Sequence, residues 1–127
     1  MEANDAHLLS QVEQVALEVL TLIDGLTERE LAGARLTRRV VHTKLSSATD
    51  ALSALGNDTR SRMPEVNWTA WLRMGAELSA GGEASFDAMW CMASELAGPT
   101  LLWLRLYRHQ QPDLFTIPTP ARCAQLA

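Results

Sequence analysis

Residues 64–82, PEVNWTAWLRMGAELSAGG, decide how this chain is read. Asn67 has the side-chain oxygen that an N-cap needs to accept from the free amides of a first helical turn. Trp68, Trp71, Leu72 and Leu78 follow at helical spacing and lay an apolar stripe along one side of that helix. The Gly81-Gly82 pair closes it, because glycine takes left-handed dihedrals at little cost. Gly75 in the interior costs about 0.5 to 1 kcal/mol relative to Ala. The stretch therefore predicts a helix that ends near Ala80, followed by a mobile loop over 81–84.

The same periodicity extends in both directions. Leu8, Val12, Val15, Ala16, Val19 and Ile23 form one stripe on a first helix that Gly25 stops. Thr27 with Glu30 has the spacing of a capping box. Val40, Val41, Leu45, Ala48, Leu52 and Leu55 give the inner face of a second long helix, and Gly56-Asn57-Asp58 ends it. Beyond the central stretch, Ser85 caps a fourth helix with Phe86, Met89, Trp90, Ala93 and Leu96 inward. Pro99 suits the first turn of a fifth, which runs from Thr100 to about His109. No alternating strand pattern, repeat or low-complexity linker interrupts this. The expected architecture is an all-α antiparallel bundle of about five helices over residues 1–111. Residues 112–127, with Pro118 and Pro120, are expected to be an extended or disordered tail.

Composition narrows the function classes. At 127 residues the chain is one domain, long enough to support an ordinary core. Cys91 and Cys123 form neither a disulfide framework nor a metal-ligand spacing, so no metal and no cofactor is expected. No apolar run of membrane-spanning length is present, and the opening MEAND lacks the basic region of a signal peptide, which predicts a cytoplasmic protein away from membranes. A net charge of −4 argues against general nucleic-acid binding, since phosphate neutralisation needs a concentrated positive face. Any RNA site must be a local patch.

The opening PEVNW of the central stretch resembles the Pro-Glu-Ile-Pro-Trp segment of the HepT-like branch of the HEPN ribonucleases. The resemblance extends along the chain: residues 8–16 are similar to that family's first helix, 25–31 (GLTEREL) to its G-L-T-E-E-x-F turn, and 38–55 to its second helix, with Thr49 in place of Gly and Asp50 in place of Glu. Trp90, Glu95-Leu96 and Pro99 match later family positions. In the family, the helix that follows the Trp continues into Met-Arg-Asn-x-x-x-His-x-Tyr and carries the R-x4-H-x-Y motif. Here Met74 is kept, but the Arg position is Gly75, the Asn is Ala76, the His is Ala80 and the Tyr is Gly82. The resemblance thus implies a scaffold whose catalytic groups are deleted.

Metal-independent RNA cleavage needs a group of near-neutral pKa to move the proton of the 2′-OH and a cation for the developing charge. Gly75 and Ala80 supply neither. Arg35-x6-His42 has the looser spacing known for such pairs, but it lies in the second helix, outside the position that the resemblance maps to the active site. A partly exposed surface histidine is the plainer reading of His42. Arg73 precedes the vacated Arg position by two residues, about 200° around the helix, so a shifted register does not restore the pair. The Trp residues could stack bases, though at helical spacing beside Leu and Met they read as core or interface.

Three functions follow as expectations. The resemblance implies a non-catalytic interaction protein of toxin–antitoxin type that forms a homodimer and pairs with a minimal nucleotidyltransferase, with Trp68, Trp71, Arg73 and Met74 as interface or ligand residues. A ribonuclease using the displaced pair Arg35 and His42 is the second. A small-ligand binder, with an apolar pocket opened near Trp68, Trp71 and Met74, is the third.

Overall fold

The computed structural model describes residues 2–116, with side chains from residue 5 onward. Every regular element among them is helical. The first helix, α1 (Glu2–Ile23), presents Leu9, Val12, Ala16, Val19 and Ile23 to the core. Leu9, rather than Leu8, is the fully buried start of the stripe. Gly25, at φ 78°, ends it in a conformation that a side chain would strain. The short helix α2 (Glu28–Gly33) opens with the expected capping box: Thr27 Oγ1 accepts from the Glu30 amide at 3.1 Å, and Glu30 Oε1 accepts from the Thr27 amide at 2.9 Å.

Helix α3 (Arg35–Ala54) follows after one residue and runs antiparallel to α1, as Glu18–Lys44 and Gln11–Ser47 side-chain bonds show. Val41, Leu45, Ala48 and Leu52 are buried on it, whereas Val40 is 41% exposed and lies outside the expected face. Gly56-Asn57-Asp58 does not simply terminate the chain direction. Gly56 is extended, and Asn57 begins another short helix, α4 (Asn57–Ser61), whose Thr59 hydroxyl donates to Asp5.

In α5 (Trp68–Ala80), Asn67 caps as expected, accepting from the Ala70 amide at 3.1 Å. Trp71 is fully buried, and its indole N–H donates to Thr100 Oγ1 at 2.9 Å, which satisfies both polar atoms inside the core. The helix ends at Ala80 as predicted. The expected loop over 81–84 is replaced by a single junction residue: Gly81 (φ 80°, ψ 179°) serves as C-cap of α5 and N-cap of the next helix, α6 (Gly82–Cys91).

Two further expectations are corrected here. Ser85 is not a cap but lies buried in the first turns of α6, donating to the Leu78 carbonyl of α5 at 2.7 Å. Nor do the fourth and fifth helices separate at Pro99: α6 passes through a π-turn (Met92–Leu96) directly into α7 (Ala97–Gln110). The Ala97 amide donates to the Met92 carbonyl, five residues back. That wider turn falls where the Pro99 ring would otherwise meet the Glu95 carbonyl, and it absorbs the defect without breaking the rod. The described chain thus has six helical rods around one core.

The core is built by α1 against α3 and α7, and by α5 against α3 and α6. Residues 112–114 form a 3₁₀ turn, and Leu114 and Phe115 are buried, with the Arg108 guanidinium 4.8 Å from the Phe115 ring centre. Packing therefore continues past residue 111, where an extended tail was expected. Residues 117–127, including Cys123, Pro118 and Pro120, lie outside the described part.

Candidate functional site

The positions left empty by the resemblance do not gather around one site. Gly75 is buried and faces α3: a Cβ built on it would stand 2.3 Å from Thr49 Cγ2 and 3.1 Å from Thr49 Cβ. Turning the threonine about χ1 cannot clear the second contact, and its hydroxyl is held by the Leu45 carbonyl at 2.9 Å. Gly75 therefore has a packing reason of its own, because it lets α5 approach α3 at Thr49. A side chain at this position points into the bundle, so a groove-lining Arg is not accommodated there. Ala76 and Ala80 are exposed and carry no functional group, and Gly82 (φ 79°) begins α6.

The tryptophan cluster is core. Trp71 is sealed, Trp68 and Met74 pack partly buried against the core, and the Trp68 indole donates to the Met63 carbonyl at 3.0 Å. Arg73 is exposed on α5. Neither of the two clefts described below is lined by these residues.

Arg35 and His42, by contrast, do come together. Both line a cleft of about 840 Å³ between the first half of α3 and the start of α6, with Leu36, Arg38, Arg39 and Thr43 on one side and Gly82, Ser85, Phe86 and Met89 on the other. Arg35, Arg38, Arg39 and His42 fall at i, i+3, i+4 and i+7, which puts all four on one face of the helix. Among the described residues none of these three arginines has a salt-bridge partner; Arg38 Nη1 donates to the Ala32 carbonyl at 2.9 Å. In a chain of net charge −4, this is the local positive patch that composition required of any anion site.

His42 is tied to the fold from its other side. Its Nε2 lies 3.2 Å from the Leu78 carbonyl oxygen. A carbonyl only accepts, so Nε2 carries the proton, and in the neutral ring Nδ1 is left as an acceptor. Leu78 O thereby receives two donors, Ser85 Oγ and His42 Nε2, at the end of α5, where helix carbonyls lose their own partners.

A second cleft of about 560 Å³ lies on the other side of Phe86, lined by Thr27, Glu28, Arg29, Ala32, Glu83 and Asp87. Its acidic rim sets it apart from the arginine cleft. Elsewhere, Cys91 is half-buried and donates from Sγ to Glu95 Oε2 at 3.0 Å; that carboxylate, and then burial, push its thiol pKa up. A raised thiol is a poorer nucleophile at neutral pH. Among the described residues no group of His, Cys, Asp and Glu is placed to hold a metal, and no helix is long and apolar enough to cross a membrane.

Among the described residues, fold and site together define an all-α bundle with a basic cleft between α3 and α6. Set against known protein families, curated proteins and solved structures, the chain matches none of them.

The spacing of Arg35 and His42 was visible in the sequence. Their neighbours across the cleft, Phe86 and Met89, were not, because α6 reaches α3 only through the turn at Gly81.

Proposed function

We propose that the chain is a HepT-like HEPN-fold protein of toxin–antitoxin type that has become a non-catalytic interaction module, forming a homodimer and pairing with a minimal nucleotidyltransferase. The observation that carries this reading is the state of the motif positions. Gly75 is filled by the approach of Thr49, while Ala76 and Ala80 offer solvent only methyl groups. A general acid/base contributes roughly 10²- to 10⁴-fold to such a reaction, and loss of the charge stabiliser with it leaves little above background. Exposed Leu102 and Leu106, one turn apart on α7, support a self-association surface.

Purified protein is expected to leave RNA intact, to run as a dimer in light scattering at micromolar concentration, and to co-purify with a minimal nucleotidyltransferase co-expressed with it. A clean monomer that retains no such partner would overturn the reading.

A second reading is favoured by one observation, the shared cleft of Arg35 and His42. With Nε2 donated to Leu78 O, the free Nδ1 of His42 could take the proton from a ribose 2′-OH while Arg35 meets the phosphate charge. RNA cleavage that disappears in His42→Ala, with the fold intact by circular dichroism, would establish this in place of the first.

A further inference from the structure

We propose that the arginine cleft, the Phe86 side chain and the acidic cleft beyond it form one docking surface for a short peptide segment of another protein, acidic at one end, apolar in the middle and basic at the other. The inference does not rest on the homodimer or on the nucleotidyltransferase pairing.

The layout of α6 is the first support. Gly82, Ser85 and Met89 fall at i, i+3 and i+7 and line the arginine cleft, whereas Glu83 and Asp87, at i and i+4, line the acidic one. Phe86 lines both. The clefts are therefore neighbours that share an aromatic wall, and a chain lying across Phe86 reaches the two together.

Charge is the second. Arg35, Arg38 and Arg39 on one side have no ion-pair partner among the described residues, and neither have Glu28, Glu83 and Asp87 on the other. Arg29 also lines the second cleft, but the three carboxylates outnumber it. Charges of opposite sign are thus held apart along one surface, and electrostatic complementarity selects a ligand with the reverse order of charge. RNA or an anionic bilayer would gain at the arginines and be repelled at the carboxylates beside them.

Shape is the third support and decides the occupant. Both sites are concave, with volumes of about 840 and 560 Å³. A two-fold pairing of this chain through the same face would set opening against opening and leave both unfilled. A protruding segment of a different protein enters them instead. Phe86, Met89 and the 76% exposed Leu36 give the middle of that segment an apolar residue's worth of contact between the two charged ends.

Selection of phage-displayed random peptides on the immobilised full chain tests this, followed by fluorescence anisotropy of the enriched peptides. They are expected to carry Asp or Glu on one side of an apolar residue and Lys or Arg on the other, and to bind with a Kd of about 100 μM or tighter. Arg39→Glu and Asp87→Arg, both at exposed positions, should each weaken binding by about fivefold, and replacing the peptide's basic residues by acidic ones should recover the loss in Asp87→Arg alone. Arg105→Glu, exposed on α7 outside both clefts, should leave binding unchanged. Uniformly acidic peptides indifferent to Asp87→Arg, no peptide reaching that affinity, or a 2′-O-methyl oligoribonucleotide that binds more tightly than every peptide would each overturn the proposal. So would a fall in the protein's own mass in light scattering on Arg39→Glu, which would give the face to a second copy of the chain.

Discussion

The two halves of α3 meet the rest of the molecule in opposite ways. From Leu45 to Leu52 the helix lies so close to α5 that Gly75 has no room for a methyl group beside Thr49. From Arg35 to Thr43 the same helix stands off from α6 and leaves an open basic cleft. Cores reach their density by interdigitation and lose stability when a single methylene is added or removed, whereas binding surfaces keep charges uncompensated at some cost to the fold. The contrast within one helix suggests that stability is concentrated in the C-terminal half and the capacity to bind in the N-terminal half.

The strongest way to break this contrast is at the closed half. Gly75→Arg should cost about 3 kcal/mol or more in urea unfolding, because it combines overpacking with an unpaired buried charge. Gly75→Ala should cost about 1 to 3 kcal/mol, and Thr49→Gly in the same chain should recover part of that loss, with a coupling of about 1 kcal/mol or more. Additive effects of the two substitutions would show that the helices can move apart and that the close approach is not a constraint.

Where the halves meet, Ser85→Ala removes a buried donor from the Leu78 carbonyl and should cost about 1 to 2 kcal/mol. Adding His42→Ala should cost more than the two singles summed, since only then is the carbonyl left without either side-chain donor. At the open half the sign reverses. Arg35→Glu places an acid in the first turn of α3 and should raise thermal stability by about 0.3 to 1 kcal/mol.

The smallest effect concerns acid. Glu18 is held below its ordinary pKa of 4.5, first by the hydrogen bond from Lys44 and then by one from Gln14. A carboxylate lowered in the folded state stabilises above its unfolded value and loses that contribution as pH falls through the folded value. The stability difference between the wild type and Lys44→Met should therefore be constant near neutrality and shrink to nothing below the ordinary carboxylate range. Both groups are exposed enough that a small difference is expected throughout.

How much of this could be read from the chain depends on the range of each interaction. Thr27 with Glu30 and Asn67 were legible as caps because a cap is satisfied within three residues. The helical class followed from stripes such as Val12, Val19 and Ile23, whose spacing is also local. Ser85 was misread because its hydroxyl serves a carbonyl of the preceding helix instead of its own first turn. Pro99 was read as the first turn of a separate fifth helix, since nothing in the adjacent residues announces a π-turn that lets one rod run through it. Asn57-Asp58 were read as the end of a helix but begin a new one, α3 having closed already at Leu55, and composition cannot distinguish these roles. At the site, Gly75 looked like an emptied position, and only the tertiary approach of Thr49 supplies its reason. The Arg35–His42 spacing was legible, but the cleft around it depends on where Gly81 sends α6.

The Leu78 carbonyl, which accepts hydrogen bonds from Ser85 on α6 and His42 on α3, makes one oxygen a meeting point of three helices. Its stretching frequency is therefore a natural reporter. Isotope labelling at that single carbonyl would give an infrared band sensitive to the loss of either donor. Because His42 also lines the cleft, occupation of the cleft would be readable at the end of α5, a helix that contributes none of the cleft's lining residues.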